Sequence, residues 1–117
     1  MKDNIAKEVV NKVIRGRRSI FPPVFSDKRI DDEIIDDILE NANWAPTHKL
    51  TEPWRFHVIT DESRSQLSQL AGTWYQKNVL GDNFKVKKHE KIMRNPMISS
   101  HIIAICVQRD AQERIPQ

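Results

Sequence analysis

The sequence HIIAICV at positions 101–107 is the strongest indication of fold in this chain. Residues 102–107 are all apolar and four of the six are β-branched. Such a run predicts a central strand that is buried on both faces. Burial there would also make Cys106, which has no second cysteine to pair with, an inert core thiol.

A second strand is expected at residues 55–60, RFHVIT, where Phe56 and Val58 alternate with His57 and Ile59. The residues between the two strands carry helix signals. Asp61 is expected to cap a short helix that breaks at Gly72, and a basic helix is expected from 84 to 94, ending at Pro96.

Two more helices are expected before the first strand. One ends near Arg15 and has an apolar face at spacings of four and five residues. The other is capped by Asp31, with Ile30 and Ile35 as a hydrophobic staple, and is stopped by Pro46. Its predicted buried stripe is Ile34, Ile35, Ile38, Leu39 and Ala42. Helices alternating with two separated strands indicate an α+β or α/β protein.

Composition limits the class of protein. A chain of 117 residues is long enough for one domain, and we treat 1–117 as a single domain. The net charge of +3 is modest, and the acidic block 27–40 and the basic block 85–94 are typical of solvated helix faces, so we expect no nucleic-acid partner. No apolar run approaches a membrane span and the first residues carry charges, so we expect a cytoplasmic protein.

The loop RRSIFPPVF, residues 17–25, is the first candidate site. Arg17, Arg18 and Ser19 offer two guanidinium groups and a hydroxyl, which suit a phosphate dianion. The alternative is an exposed basic pair at the negative end of a helix. We expect the loop to be held down by Phe21, Val24 and Phe25.

The second candidate is the loop WAPTHKLTEPWRF, residues 44–56. Trp44 provides an aromatic wall, while Thr47, His48 and Lys49 provide polar and basic groups of the kind that a planar heteroaromatic ligand needs. The alternative is that Trp44 and Trp54 only fill the core on either side of a surface loop. No histidine has a companion ligand at metal-site spacing, and three glycines exclude a Gly-rich phosphate loop. Ser19 also lacks the surroundings of a hydrolase nucleophile.

Four segments in this order resemble the nitroreductase family: RRSIFPPVF (17–25), ILENANWAP (38–46), THKLTEPWRFHVI (47–59) and IIAICV (102–107). The likeness runs from about Asn11 to Gln117 and is greatest to short, single-domain members with an AP-x-HK loop followed by PW. It implies an α+β, three-layer sandwich with a mixed or antiparallel sheet flanked by helices. It also implies a homodimer that binds FMN at the subunit interface.

Carried over by position, the resemblance implies that Arg17, Arg18 and Ser19 hold the phosphate and ribityl chain of FMN from one subunit. Trp44 and His48 would reach the flavin from the partner subunit, with Thr47 and Lys49 as neighbours. The implied chemistry is ping-pong transfer of hydride from NAD(P)H through the flavin to a nitroaromatic, quinone or similar acceptor. No general base or nucleophile is expected.

The chain departs from the family pattern at Phe21, where many members have a basic residue. The family also continues beyond the segments present, so we expect this chain to be the amino-terminal part of the domain. Two other functions stay open: a degenerate member that binds flavin without turnover and, through the basic block 85–94, a nucleic-acid-binding module.

Overall fold

The computed structural model describes residues 2–109, and for His48 it describes the backbone alone. In chain order the helices and strands are α1 (Lys2–Gly16), α2 (Asp32–Asn43), β1 (Trp54–Thr60), α3 (Glu62–Asn78), α4 (Val86–Ile98) and β2 (His101–Val107). Short 3-10 turns lie at Pro22–Val24, His48–Leu50 and Gly81–Asn83. This α+β architecture confirms the predicted fold class.

The two strands form an antiparallel pair in which Trp54 lies opposite Val107 and Thr60 lies opposite His101. Both strands were predicted to within one residue. The expected burial of β2 on both faces is wrong for its second half, because Ile105 is 72% exposed and Cys106 is exposed as well. Within the described residues β2 pairs with β1 alone, and no described element covers that end of the strand.

Helices α3 and α4 form an antiparallel hairpin with a small core of its own. Ser68, Gly72 and Tyr75, at spacings of four and three residues, form the buried face of α3. The Ser68 hydroxyl donates to the Met93 carbonyl of α4 at 2.6 Å. The Tyr75 ring lies 5.1 Å from Phe84, and its hydroxyl accepts from the Lys85 amide at 3.0 Å.

Two predicted helix boundaries in this hairpin are wrong. Helix α3 passes through Gly72 without a break, because the missing Cβ leaves room for Met93 of the neighbouring helix. Helix α4 continues to Ile98, so Pro96 lies inside its last turn. A proline there removes one intrahelical hydrogen bond. The cost is small because the last carbonyls of a helix have no intrahelical partners in any case.

The amino-terminal elements are much less buried than predicted. Helix α1 forms as expected, but its apolar face is exposed: Ile5, Val9, Val10, Val13 and Ile14. Ile35 alone is buried in α2, with Ile34 and Ile38 exposed. Phe21, Val24 and Phe25 are exposed too, so the prediction that they hold their loop down is wrong.

Helix α2 begins as predicted, but its cap is made differently. The Asp31 side chain makes no capping hydrogen bond, while its carbonyl accepts from the amides of Ile34 and Ile35 at 3.0 and 3.4 Å. None of the helices within residues 2–109 is long and apolar enough to cross a bilayer.

Candidate functional site

The three residues Arg17, Arg18 and Ser19 follow the end of α1 directly and are exposed. The Arg17 Nη1 donates to the Ser19 hydroxyl oxygen at 3.3 Å, so a guanidinium and a hydroxyl lie side by side. Only one of the five N–H donors of Arg17 is used in this contact. The pair therefore has donors left for an anionic ligand.

Arg18 is directed back towards the helix. Its Nη1 donates to the carbonyls of Arg15 and Arg17, at 2.8 and 2.9 Å. A cation at this position neutralises the negative end of the α1 dipole, which would otherwise repel an anion bound nearby. Arg18 thus lies as the alternative in the sequence analysis described, a basic residue at a helix end, and its contact with a phosphate stays a prediction.

The second group of predicted residues lies between α2 and β1. Trp44 is the first residue after α2 and is 81% exposed, which excludes a role as a core residue within the described chain. Its indole N–H donates to the Glu40 carboxylate at 3.3 Å. A large aromatic side chain held on the surface by one hydrogen bond is available for contact with a ligand or a partner.

Thr47, His48 and Lys49 follow in the same loop. The half-buried Thr47 accepts at its hydroxyl oxygen from the Glu52 amide, at 3.4 Å. The backbone of His48 begins the 3-10 turn, and Lys49 is exposed with φ 50° and ψ 32°. Leu50 and Glu52 also have positive φ angles, of 54° and 43°. Left-handed backbone is uncommon for such residues, so the loop is locally strained.

The structure does not itself join the two groups. Arg17 bonds to Ser19 and Arg18 to the carbonyls of Arg15 and Arg17, whereas Trp44 bonds to Glu40 and Thr47 to Glu52. Any single ligand that touches both groups therefore has to bridge them, within one subunit or between two.

A polar network that the sequence analysis missed lies at the other end of α2, where the helix begins. Arg29 donates from Nε and Nη2 to the two carboxylate oxygens of Asp61, both at 3.2 Å, and from Nη2 to Asp32 at 3.0 Å. His101 lies 2.9 Å from the same Asp32 oxygen through its Nε2. The Arg29–Asp61 contact joins residues that are 32 positions apart and the Asp32–His101 contact joins residues that are 69 positions apart, so no local sequence pattern reveals these two contacts.

The charges of this network shift the pKa values of its acids. Hydrogen bonds from His101 and then Arg29 lower the pKa of Asp32 below its ordinary 3.8. The hydrogen bonds from Arg29 lower the pKa of Asp61 in the same way, and the two acids raise the pKa of Arg29 in return. All three groups are therefore held in their charged forms.

The orientation of His101 follows from its neighbours. The Ser100 hydroxyl accepts from the Ile30 amide at 2.8 Å and lies 2.7 Å from His101 Nδ1. Because an ionised carboxylate can only accept, the Nε2 that faces Asp32 carries a hydrogen, while the direction of the Ser100–Nδ1 hydrogen bond depends on the tautomer of the ring. The network fixes the start of β2 against the start of α2.

Two cavities of 370 Å³ each adjoin this network. The first is lined by charged and polar groups that include Lys28, Arg29, Asp61 and Arg64. The second is more apolar and includes Ile20, Phe25 and Ile98 in its wall. Of the predicted site residues other than His48, none lines either cavity. In the described part of the chain, no group of three or more His, Cys, Asp or Glu side chains is placed to hold a metal ion.

The structure therefore defines an α+β protein with a basic turn after its first helix and an exposed, strained loop before its first strand. Residues 14–116 match the model of the Nitroreductase family, which is most of the chain. The chain belongs to the nitroreductase family.

Individual relatives agree with this assignment. The chain is 42% identical over 55 residues to the protein YfhC of Bacillus subtilis (strain 168), a match that covers 47% of this chain and 27% of that protein. It is 36% identical over 67 residues to a nitrobenzene nitroreductase of Ectopseudomonas oleovorans, covering 57% of this chain and 29% of that one. The matched segments thus span less than a third of these relatives.

The crystal structure of a nitroreductase-like family protein from Bacillus cereus resembles this chain with a TM-score of 0.70. The sequence identity is 24%, and the likeness covers 90% of this chain and 55% of that chain. This resemblance concerns the fold, and it confirms the predicted nitroreductase-like architecture.

Proposed function

We propose that this protein is an FMN-dependent oxidoreductase that passes hydride from NAD(P)H to nitroaromatic, quinone or similar electron-poor acceptors. Membership of the nitroreductase family supports the oxidoreductase class. The choice of acceptor is supported by the similarity to a protein named as a nitrobenzene nitroreductase. One domain, residues 1–117, would contribute the turn and the loop described above.

The observation that carries this proposal is the pairing of Arg17 with Ser19. An exposed guanidinium and a hydroxyl whose facing atoms lie 3.3 Å apart form a small donor cluster that fits a phosphate monoester such as that of FMN. Arg18 adds positive charge and covers the helix-end carbonyls that would disfavour an anion. These residues fit the phosphate end of the cofactor.

The loop after α2 would serve the flavin ring. The exposed Trp44 offers an aromatic surface, and Lys49 with Thr47 and His48 offers polar and cationic groups near the place where negative charge accumulates on reduction. When bound, FMN supplies the hydride-transfer chemistry. The residues of the chain bind it, orient it and exclude water, and none is assigned as a general base.

A ping-pong cycle suits a site with one exposed face. NAD(P)H and the acceptor would occupy the same space in turn, and the bound flavin would supply the hydride transfer between them. We propose a homodimer because the face of α1 formed by Ile5, Val9 and Val13 is apolar and exposed, and such a face gains stability when another subunit covers it. We also propose that the protein is cytoplasmic.

The test is an absorbance spectrum of the purified full-length protein, followed by steady-state assays. We expect flavin absorbance bands and oxidation of NADH or NADPH that depends on a nitroaromatic or quinone acceptor, with parallel lines in double-reciprocal plots. A protein that stays colourless after addition of FMN would contradict the proposal. Flavin colour without nicotinamide oxidation would instead indicate a flavin-binding protein without turnover.

A further inference from the structure

One hydrogen bond closes the loop that carries four of the proposed flavin-binding residues. The indole N–H of Trp54 donates to the side-chain oxygen of Asn43 at 2.8 Å. Asn43 is the last residue of α2 and Trp54 is the first residue of β1. The ten residues between them, Trp44–Pro53, are here called the neck-closed loop, and a loop whose ends are held together in this way is an Ω-loop.

The two sides of the neck are anchored differently. On the strand side, the Gln108 amide donates to the Pro53 carbonyl at 2.7 Å, and Trp54 pairs with Val107 across the sheet. On the helix side, the described hydrogen bonds of Trp44 lead back into α2, to Glu40, Asn41 and Ala42. The Asn43–Trp54 bond therefore links the helix end to the sheet.

Inside the neck-closed loop, two of the hydrogen bonds are long and the backbone is strained. The amides of Leu50 and Glu52 reach the Thr47 carbonyl and hydroxyl oxygens at 3.4 Å each, near the limit of a hydrogen bond. Positive φ angles occur at Lys49, Leu50 and Glu52. A strained segment with weak internal bonds keeps its shape only while its ends are fixed.

We propose that Asn43 and Trp54 are positioning residues, whose hydrogen bond holds the neck-closed loop in the conformation that presents Trp44, Thr47 and Lys49 to the flavin. This inference rests on the proposed function. Without the bond, the loop populates other conformations, and the apparent affinity for FMN falls by the fraction of molecules that remain competent. The residues of the neck act through the loop and need not touch the cofactor.

Four variants of the full-length protein test this role. Asn43→Ala removes the acceptor, Trp54→Phe removes the donor, and Asn43→Asp keeps an oxygen that can accept from the indole. Asn78→Ala is the matched control, because Asn78 also ends a helix and donates a 2.8 Å hydrogen bond, but to Trp74 of its own helix. Thermal unfolding of each variant shows that it is folded.

The first readout is the FMN dissociation constant, with the visible circular dichroism of bound flavin as its spectroscopic signature. One neutral hydrogen bond corresponds to a weakening of about 2- to 10-fold for Asn43→Ala and Trp54→Phe. Asn43→Asp is expected to restore most of the affinity, and Asn78→Ala to leave affinity and spectrum unchanged. A purely structural role predicts changes in thermal midpoint without this pattern in the flavin signal.

The second readout does not depend on flavin. Lys49 is exposed in the loop, so trypsin cleavage after it reports how often the loop opens. We expect faster cleavage of the Ala and Phe variants, by about 2- to 10-fold, and a normal rate for Asn43→Asp. Unchanged cleavage and unchanged FMN affinity in a flavin-binding parent protein would overturn the positioning role alone. A parent protein that binds no FMN would overturn the proposed function and this inference together.

Discussion

The guanidinium of Arg29 binds the carboxylate of Asp61 in a parallel, two-point arrangement, Nε to Oδ1 and Nη2 to Oδ2, both at 3.2 Å. Asp61 has φ 49° and ψ −126°, a conformation of tight turns that non-glycine residues rarely adopt. The two-point contact thus fixes the turn between β1 and α3 to the segment that leads into α2. Because Asp32 binds the same guanidinium, one arginine joins the starts of two helices.

This relationship predicts a loss of stability in acid. Hydrogen bonds from His101 and Arg29 lower the folded-state pKa of Asp32, and hydrogen bonds from Arg29 lower that of Asp61, so the unfolded chain binds protons more readily than the folded one. Their contribution is fully present above the ordinary pKa of 3.8 and is lost as the pH falls through the lowered folded-state values. Urea unfolding at about pH 5 and about pH 3 should show this fall.

The control for the acid effect compares the loss of Arg29 with the loss of another exposed arginine, Arg55. Arg29→Met should reduce the difference between the two pH values, because the acids then titrate closer to their ordinary range. Arg55→Met should leave that difference unchanged, since Arg55 donates to the main-chain carbonyls of Glu52 and Trp54 and to no carboxylate in the described structure. An equal pH dependence in wild type and Arg29→Met would contradict the assigned role.

Gly72 should resist substitution although it lies within a helix. A Cβ built at Gly72 would overlap the Met93 sulfur and lie 3.1 Å from Met93 Cγ and 3.3 Å from His89 Nε2. Ala gains up to about 1 kcal/mol of helix propensity, whereas overpacking costs about 1–3 kcal/mol. We expect a net loss of roughly 1 kcal/mol in the free energy of unfolding, measured by chemical denaturation.

Two comparisons check the packing explanation at Gly72. Gly16→Ala should be neutral or slightly stabilising, because nothing lies within 4 Å of the added Cβ. Combining Gly72→Ala with Met93→Ala should cost less than the sum of the two single changes, since the second removes the obstacle. Strict additivity would show that the two side chains do not compete for the same space.

The helices and strands show how much of the fold could be predicted from the sequence. Local periodicity predicted α1, α2 and both strands, because side-chain spacing and backbone repeat are properties of neighbouring residues. Local periodicity failed to predict that α3 continues through Gly72, because contacts with the opposite helix decide this. It also failed to predict that α4 continues past Pro96, because the proline lies close to the helix end. The prediction that residues 105–107 are buried was also wrong. These residues are apolar, but whether another layer covers them is not a local property of the sequence.

Of the candidate site, the sequence identified the two loops but not what holds them. Each group could be predicted because its members are close in the sequence: Arg17, Arg18 and Ser19 in one loop, and Trp44 and its neighbours in the other. The bonds of Arg29 to Asp61 and of Asp32 to His101 link residues far apart in the chain, which no short motif encodes. The binding roles of Arg17, Arg18, Ser19, Trp44, Thr47, His48 and Lys49 stay predictions.

Tyr75 should stabilise the start of α4 through its hydroxyl. Tyr75→Phe keeps the buried ring but leaves the Lys85 amide without its 3.0 Å acceptor, which costs about 1 kcal/mol. The free energy of unfolding should fall by about that amount, and the Lys85 amide should exchange faster with solvent. Trp74→Phe, at an exposed neighbour on α3, should change stability by less than about 0.5 kcal/mol. Normal protection of Lys85 in Tyr75→Phe would show that the hydroxyl is not what protects this amide.

Arg17 should distinguish FMN from riboflavin, which has the same ring but no phosphate. If Arg17 and Ser19 hold the phosphate, Arg17→Met removes a charge-assisted contact worth about 1.5–3 kcal/mol and weakens FMN binding by about 10- to 100-fold. Riboflavin affinity should change by less than about 2-fold, because no contact is lost. Arg18→Met should have the smaller effect on FMN, since its Nη1 already serves the carbonyls of Arg15 and Arg17.

The matched control is Arg15→Met, which removes an equal charge two residues earlier, in the last turn of α1, and leaves the Arg17–Ser19 contact in place. It should weaken FMN only slightly, and less at high salt, because an exposed charge without direct contact acts through a screened field. Fluorescence titration of both flavins with the parent protein and with each variant gives the affinities to be compared. Equal weakening of FMN and riboflavin by Arg17→Met would place Arg17 against the ring, while no change in either would remove it from the site.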